Sequence, residues 1–212
     1  MCGGCGIIDK VDGFRIANDI HSYLISMWRA LTENQWEPPT EISLEEYTAI
    51  RQNKEGYPSE LVGFVGFGCS YSGKWWGGYA RGKDDKGRER NYCLESHKNV
   101  LKQIRTMHNI VWENKPYDEV DIPKNSIVYA DIPYEGTTKY KDSFDHSKFW
   151  EWAREQSHNH YLYVSEYKAP SDFKCLWYKQ VNNSLMRDTG SKKGVEKLFV
   201  MEGGKSWEIH QI

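Results

Sequence analysis

The feature that most constrains the fold is an alternation of two hydrophobic patterns. Short apolar runs, typical of strands buried in a parallel sheet, occur at residues 14–18, 126–130, 161–165 and 197–201. Between them, apolar side chains recur every three or four residues, as they do on one face of a helix. Strands that alternate with helices predict an α/β domain with a mostly parallel sheet.

Helices are predicted over residues 20–31, 44–55, 100–111 and 146–157. Ser43 and Glu46 have the spacing of a capping box, which marks the start of the second helix. Residues 56–92 have a different character, because nine glycines are mixed there with aromatic and basic side chains. We expect this stretch to form irregular loops and short strands inserted into the main domain.

Composition limits the class of protein. The 212 residues fit one domain, or one domain with a large insertion. The formal net charge is −2, so any attraction to phosphate must come from a local basic patch. Five cysteines without a regular framework predict a reduced, cytoplasmic protein. We expect neither a signal peptide nor a membrane span.

The strongest chemical signal is Asp131-Ile132-Pro133-Tyr134, directly after a predicted strand. The lone pair of an aromatic amine is delocalised into its ring, and two acceptors that hold its hydrogens would direct that pair toward a methyl donor. The carboxylate of Asp131 is one acceptor, and the carbonyl of Ile132 is another, since Pro133 favours an extended Ile132. Tyr134 offers a flat face to an extruded base. A simple turn after a strand remains the alternative interpretation of these four residues.

In this context the sequence resembles the Dam-like, adenine-specific DNA methyltransferases, especially phage-type members, whose catalytic motif is D-P-P-Y. In this chain Ile132 replaces the first proline of that motif. In the family, the residue at this position acts through its backbone carbonyl. The segments Ser165-Glu166-Tyr167 and Glu196–Val200 also resemble the family, and the likeness extends in order over nearly the whole chain. It implies a Rossmann-like methyltransferase domain with an inserted DNA-recognition segment. It also implies methyl transfer from S-adenosylmethionine to the amino group of adenine, as in restriction-modification.

The resemblance also assigns the cofactor site. The glycine-rich start of the chain looks like the family's cofactor loop, and the strand ending at Asp19 looks like the one whose acidic residue holds the ribose. Glycines allow a ligand to approach the backbone closely. The predicted cofactor-binding residues are Gly3, Gly4, Gly6, Asp19, Ile20 and Asp131. The alternatives are a disordered N-terminus for the glycines and a helix N-cap for Asp19.

A DNA-binding segment is predicted between residues 74 and 90. This stretch contains six basic and three acidic residues, with aromatic residues among them. Basic groups bind phosphates, and aromatic rings stack on bases or fill the gap that a flipped base leaves. The predicted contacts are Lys74, Trp75, Tyr79, Arg81, Lys83, Arg88 and Arg90. The chain then divides into a cofactor-binding part (1–55), a target-recognition insertion (56–117) and a catalytic part (118–212).

One departure from the family pattern concerns the segment that normally precedes the glycine loop and contains the first strand of the sheet. Its absence from this sequence suggests a split or truncated methylase, which an upstream-encoded polypeptide would complete. Three other functions stay open: a remnant that binds DNA without activity, a methyltransferase for RNA or protein glutamine, and a nucleotide-binding oxidoreductase. No metal is expected, because Cys2 and Cys5 lack a second pair, Cys69 and Cys93 being far apart in the sequence.

Overall fold

The computed structural model describes residues 2–135, 144–181 and 194–205. The chain forms two compact units, an N-terminal unit of Cys2–Val120 and a C-terminal unit that begins at Asp121. Residues 56–117 therefore belong to the same unit as residues 2–55. Whether the three predicted parts differ in function stays a prediction.

The N-terminal unit combines a small sheet with four helices. Strand β1 (Arg15–Asn18) pairs in parallel with β2 (Ile110–Glu113), with Arg15 opposite Ile110. The helices are α1 (Ser22–Glu33), α2 (Leu44–Gln52), α3 (Ser59–Gly68) and α4 (Tyr92–Gln103). The capping box of Ser43 and Glu46 is confirmed, since both reciprocal hydrogen bonds are present.

Helix α3 corrects the prediction of irregular loops and short strands over residues 56–92. Its glycines indicate close packing rather than turns. A Cβ atom on Gly63 would lie 2.2 Å from the carbonyl oxygen of Tyr23 in α1, and one on Gly66 would lie 2.2 Å from the ring of Trp75. Val62 and Phe64 are almost completely buried. Tertiary packing thus stabilises a helix in which glycine by itself is unfavourable.

The predicted helix over residues 100–111 also needs correction. Helix α4 begins earlier, after the capping residue Asn91, and ends at Gln103. A short 3₁₀ turn and Asn109, whose φ is +58°, then turn the chain into β2. Val111 lies in that strand, so its helical spacing from Val100 was coincidental.

The C-terminal unit contains β3 (Ile127–Asp131), α5 (His146–Asn159), β4 (Tyr161–Glu166), β5 (Phe173–Val181) and β6 (Gly194–Met201). They form a four-stranded sheet in the order β3-β4-β6-β5. Strands β3 and β4 are parallel, whereas β6 is antiparallel to both of its neighbours. Helix α5 connects the parallel strands, and its Phe149 and Ala153 are completely buried.

The predicted α/β class is confirmed. The predicted mostly parallel sheet is found in part: the strands of the described residues form two sheets, the larger of which is mixed. Strand β5 was not predicted at all. Within the described ranges, no helix has the length and apolar character needed to cross a membrane.

Candidate active site

The carboxyl end of β3 places Asp131 beside the next parallel strand. Asp131 is the last residue of β3, and its register partner is Ser165 of β4. Because both strands run in the same direction, their carboxyl ends meet at one edge of the sheet, which is the edge where such sheets bind ligands. The Asp131 side chain is exposed, whereas Ile132 is only 4% exposed. The buried side chain of Ile132 thus anchors the segment that follows the exposed carboxylate.

Tyr134 is held in place from two sides. Its hydroxyl forms a hydrogen bond of 2.8 Å with Oγ of Ser165, and its ring makes an edge contact with Tyr167 at a centroid distance of 4.4 Å. Burial raises the pKa of Tyr134 to about 12, and the negative charge of Asp131 acts in the same direction. The Tyr134 ring is therefore neutral at physiological pH and already oriented before any ligand binds.

Glu166, the last residue of β4, ties the segment after Tyr134 to the sheet. Its side chain is 1% exposed, and its two oxygens accept hydrogen bonds from the amides of Glu135 (3.0 Å) and Tyr167 (2.6 Å). Burial raises the pKa of Glu166, although these two hydrogen bonds oppose the shift. Nδ1 of His146, at the start of α5, lies 4.0 Å from Oε2 of Glu166.

The family resemblance marked residues 165–167 as a similar segment without assigning them a role. The structure brings all three to the Asp131–Tyr134 motif. A sequence signal was present, because polar residues at the end of a strand adjacent to the catalytic strand share its ligand-binding edge. Using it would have required knowing that the two strands are neighbours.

In the N-terminal unit, the glycine-rich loop is fixed to the end of β1. The amide of Cys2 donates to the carbonyl of Asn18 (2.8 Å), and the amide of Gly3 donates to Oδ2 of Asp19 (3.0 Å). Nε1 of Trp28 donates to the Gly3 carbonyl and Nε2 of Gln103 to the Gly4 carbonyl. These four hydrogen bonds join the loop to Asn18, Asp19, α1 and α4.

The three glycines of the loop differ in what they require. Gly3 has a φ of +46°, a conformation that side chains disfavour. At Gly4 and Gly6 a Cβ atom would meet nothing within 4 Å, so these positions border open space. The loop therefore has room for a ligand to approach its backbone.

Asp19 is buried and already has two backbone donors. Besides Gly3, the amide of His21 donates to its Oδ1 at 2.9 Å. The N-cap of α1 is His21, whose Nδ1 accepts from Leu24, so the N-cap alternative for Asp19 is wrong. Each carboxylate oxygen retains a further lone pair. The neighbouring side chain of Ile20 is 61% exposed.

The predicted DNA-binding residues separate into two groups. Arg88 pairs with Asp84 at 2.7 Å, and Arg90 pairs with Glu95. Lys74, Arg81 and Lys83 are exposed, and none of these three cations has an ion-pair partner in the part of the chain that the structure describes.

The two predicted aromatic contacts are engaged within the unit. Trp75 stacks on Tyr23 and makes an edge contact with His21 at 4.2 Å, so it packs against α1. The hydroxyl of Tyr79 donates to the carbonyl of Ile42 (2.6 Å), and the guanidinium of Arg81 lies 5.6 Å from the centre of the Tyr79 ring. Neither ring stands free as a stacking surface, which makes the three unpaired cations the better candidates for DNA contact.

The described residues contain no group of three His, Cys, Asp or Glu side chains that could hold a metal ion. Comparison of the chain with protein-family models gave no match, and comparison with curated proteins gave none either.

Proposed function

We propose that this protein transfers a methyl group from S-adenosylmethionine to the exocyclic amino group of adenine in double-stranded DNA. The observation that carries the proposal is the cluster at the carboxyl ends of β3 and β4. It combines an exposed carboxylate, Asp131 at the end of β3, with a neutral and pre-oriented ring, Tyr134, which follows the same strand and is hydrogen-bonded to Ser165 of the adjacent parallel strand β4. In this proposal the domain is Rossmann-like.

The residues of the cluster have separate tasks. The cofactor supplies a methyl group on a sulfonium, which leaves as a neutral thioether and needs no protein nucleophile. The Asp131 carboxylate and the Ile132 carbonyl accept hydrogen bonds from the amine and direct its lone pair outward. As the N–C bond forms and the S–C bond breaks, the amine becomes cationic, and the carboxylate stabilises that charge and takes up the released proton. Tyr134 stacks on the base and fixes its orientation.

The glycine loop supports the cofactor assignment. Open space at Gly4 and Gly6 and the remaining lone pairs of the Asp19 carboxylate fit a ligand that carries vicinal hydroxyl groups. Because Asp19 is fixed by two backbone amides, it presents these lone pairs without having to order a flexible side chain. In this proposal the glycine loop and Asp19 recognise the cofactor, and the residues at the ends of β3 and β4 carry the chemistry.

The local charge supports DNA as the substrate. The whole chain is weakly acidic, but Lys74, Arg81 and Lys83 are exposed cations without ion-pair partners among the described residues. Because phosphate contacts by such side chains are independent of sequence, they position the duplex but do not select the target.

The test is a methyl-transfer assay with tritiated S-adenosylmethionine on duplex DNA, RNA and protein, with and without any polypeptide encoded upstream. We expect label in N6-methyladenine of duplex DNA, lost in Asp131→Ala and retained in the matched control Asp121→Ala, an exposed aspartate of the same unit. Label found only in RNA, or only in protein, would show that this molecule and not DNA is the substrate. DNA binding without any transfer would indicate a non-catalytic remnant.

A further inference from the structure

Two large aromatic side chains of strand β5 face solvent. Trp177 is 49% exposed and Tyr178 is 68% exposed. Strand β5 is also the last strand in the order β3-β4-β6-β5, so one of its sides has no neighbouring strand. Single exposed apolar residues are ordinary on a protein surface, and what surrounds each ring decides whether it is suited to a partner.

A register shift places Trp177 on the same face of the sheet as two lysines. The shift lies between Cys175 and Trp177, where β5 has one residue more than β6. The β6 partners of Lys174, Trp177 and Lys179 are therefore every second residue of that strand, at positions 200, 198 and 196. Alternate residues of a strand point to one face, and directly paired residues share a face. The three side chains thus form a strip on one face, whereas Tyr178 points to the other.

The strip lies on the face of the sheet that carries the candidate active site. One row of paired residues crosses all four strands: Asp131, Ser165, Leu198 and Trp177. Neighbouring strands are about 4.8 Å apart, so three spacings separate Trp177 from Asp131 by about 14 Å. A stacked nucleic-acid strand has one phosphate about every 3.4 Å, so about four nucleotides cover this distance.

The two lysines give the strip a positive charge. Lys174 and Lys179 are exposed, and neither has an ion-pair partner among the residues that the structure describes. This holds although Glu196 lies opposite Lys179. Lysines at a sheet edge can serve only to prevent pairing with another chain, but that role does not explain an exposed indole between them. An aromatic ring between cations is the arrangement on which unpaired nucleic-acid strands stack.

We propose that the strip of Lys174, Trp177 and Lys179 binds an unpaired DNA strand. The indole stacks on one base, and the two lysines contact phosphates on either side of it. Bases inside a duplex have both faces stacked, so the strip discriminates against fully paired DNA. The choice of DNA rests on the proposed function, because the strip shares its face and its row with Asp131. A duplex that continues into an unpaired strand fits both surfaces.

The experiment measures binding of a fluorescein-labelled oligothymidylate of about 16 nucleotides to the full chain, by anisotropy at several salt concentrations and without cofactor. We expect Trp177→Ala to weaken affinity about tenfold and Trp177→Phe to keep most of it, because an aromatic face remains. The double variant Lys174→Ala, Lys179→Ala should reduce the slope of log K against log salt by about 1.4, for two phosphate contacts to a single strand.

Tyr178→Ala is the matched control, because it removes a more exposed ring of the same strand from the other face. An equal loss of affinity in Tyr178→Ala, or wild-type affinity in Trp177→Ala, would overturn the proposal. So would tighter binding of oligouridylate, which would assign the strip to RNA. A dimer that Trp177→Ala dissociates without a change in DNA binding would make the strip an interface between copies.

Thermal unfolding midpoints equal to that of the wild type check that these exposed substitutions leave the fold intact. The binding measurement uses neither cofactor nor methyl transfer. A chain without transferase activity that binds oligothymidylate through Trp177 would therefore refute the proposed function and keep the strip. An active methyltransferase that ignores oligothymidylate would refute the strip alone.

Discussion

Asp19 and Asp131 stand at the ends of parallel strands in two different units, but their environments are opposite. Asp19 is 7% exposed and receives backbone amides on both carboxylate oxygens. Asp131 is exposed at the edge of its sheet. The comparison teaches that one strand-end carboxylate is fixed inside its unit, whereas the other lies at the solvent-exposed edge of its sheet.

The largest expected effect is that of Asp131→Asn. The amide removes the negative charge that stabilises the developing cation, so we expect kcat to fall about 10²–10³-fold. The thermal midpoint should change little, because the side chain is exposed. Single-turnover kinetics and thermal unfolding measure the two quantities. A lower thermal midpoint with a normal kcat would show that Asp131 stabilises the fold and does not take part in methyl transfer.

Glu166→Gln should have the next largest effect. A glutamine side chain has one acceptor oxygen where the carboxylate has two, so either the Glu135 or the Tyr167 amide loses its partner. We expect kcat to fall about tenfold with little change in cofactor Kd, since a misplaced reacting group costs rate. Faster amide hydrogen exchange at Glu135 or Tyr167 should accompany the loss.

The matched control for this variant is Glu202→Gln, which changes an exposed glutamate of the same unit. Exchange rates as slow as in the wild type would show that Glu166 does not fix the segment after Tyr134. That result would stand whether or not the protein transfers methyl groups.

Asp19→Asn should show the reverse pattern to Asp131→Asn. The NH2 group of asparagine would point at one of the two backbone amides that donate to Asp19, so that amide would lose its acceptor. A buried donor left unpaired destabilises the fold by about 1–3 kcal/mol. We expect weaker cofactor binding by about tenfold and a lower unfolding midpoint, with kcat at saturating cofactor little changed. Asp12→Asn, at an exposed aspartate before β1, is the control. Equal cofactor affinity in Asp19→Asn and wild type would show that Asp19 and the glycine loop do not bind the cofactor.

The smallest effect concerns the basic segment. The double variant Arg81→Ala, Lys83→Ala should weaken binding to duplex DNA and reduce the slope of log K against log salt by about two, one unit for each lost phosphate contact. Arg88→Ala, which removes a charge already paired with Asp84, should change the slope less. Equal slopes for both variants, measured by fluorescence anisotropy at several salt concentrations, would contradict the distinction between free and paired cations.

Much of the fold could be predicted where local signals and tertiary packing agree. Helices α1, α2 and α5 and strands β1, β3, β4 and β6 lie close to their predicted positions. Strand β5 was missed: it contains Lys174, Lys179 and Gln180, and a register shift between Cys175 and Trp177 interrupts its pairing. A bulge shifts the alternation of side chains between the two faces, which removes the period-two pattern that a strand prediction needs.

The candidate site divides in the same way. Asp131 and Tyr134 were predicted because they adjoin a strand in the sequence, whereas the role of Glu166 depends on β4 lying beside β3. Trp75 was predicted to face DNA, but it packs against Tyr23 and His21 instead. Whether an aromatic ring stacks on a base or fills a core depends on its neighbours in space, which the sequence alone does not specify.

By itself, the sequence determined the short-range features: the capping box at Ser43 and the strand that ends in Asp131. These follow from neighbours within a few residues, whose conformations are set by sterics and local hydrogen bonds. Only the tertiary structure decided that the glycines of α3 permit helix packing and that Cys69 and Cys93 line the same cavity. Such contacts depend on how distant segments exclude water together, and no local pattern records that.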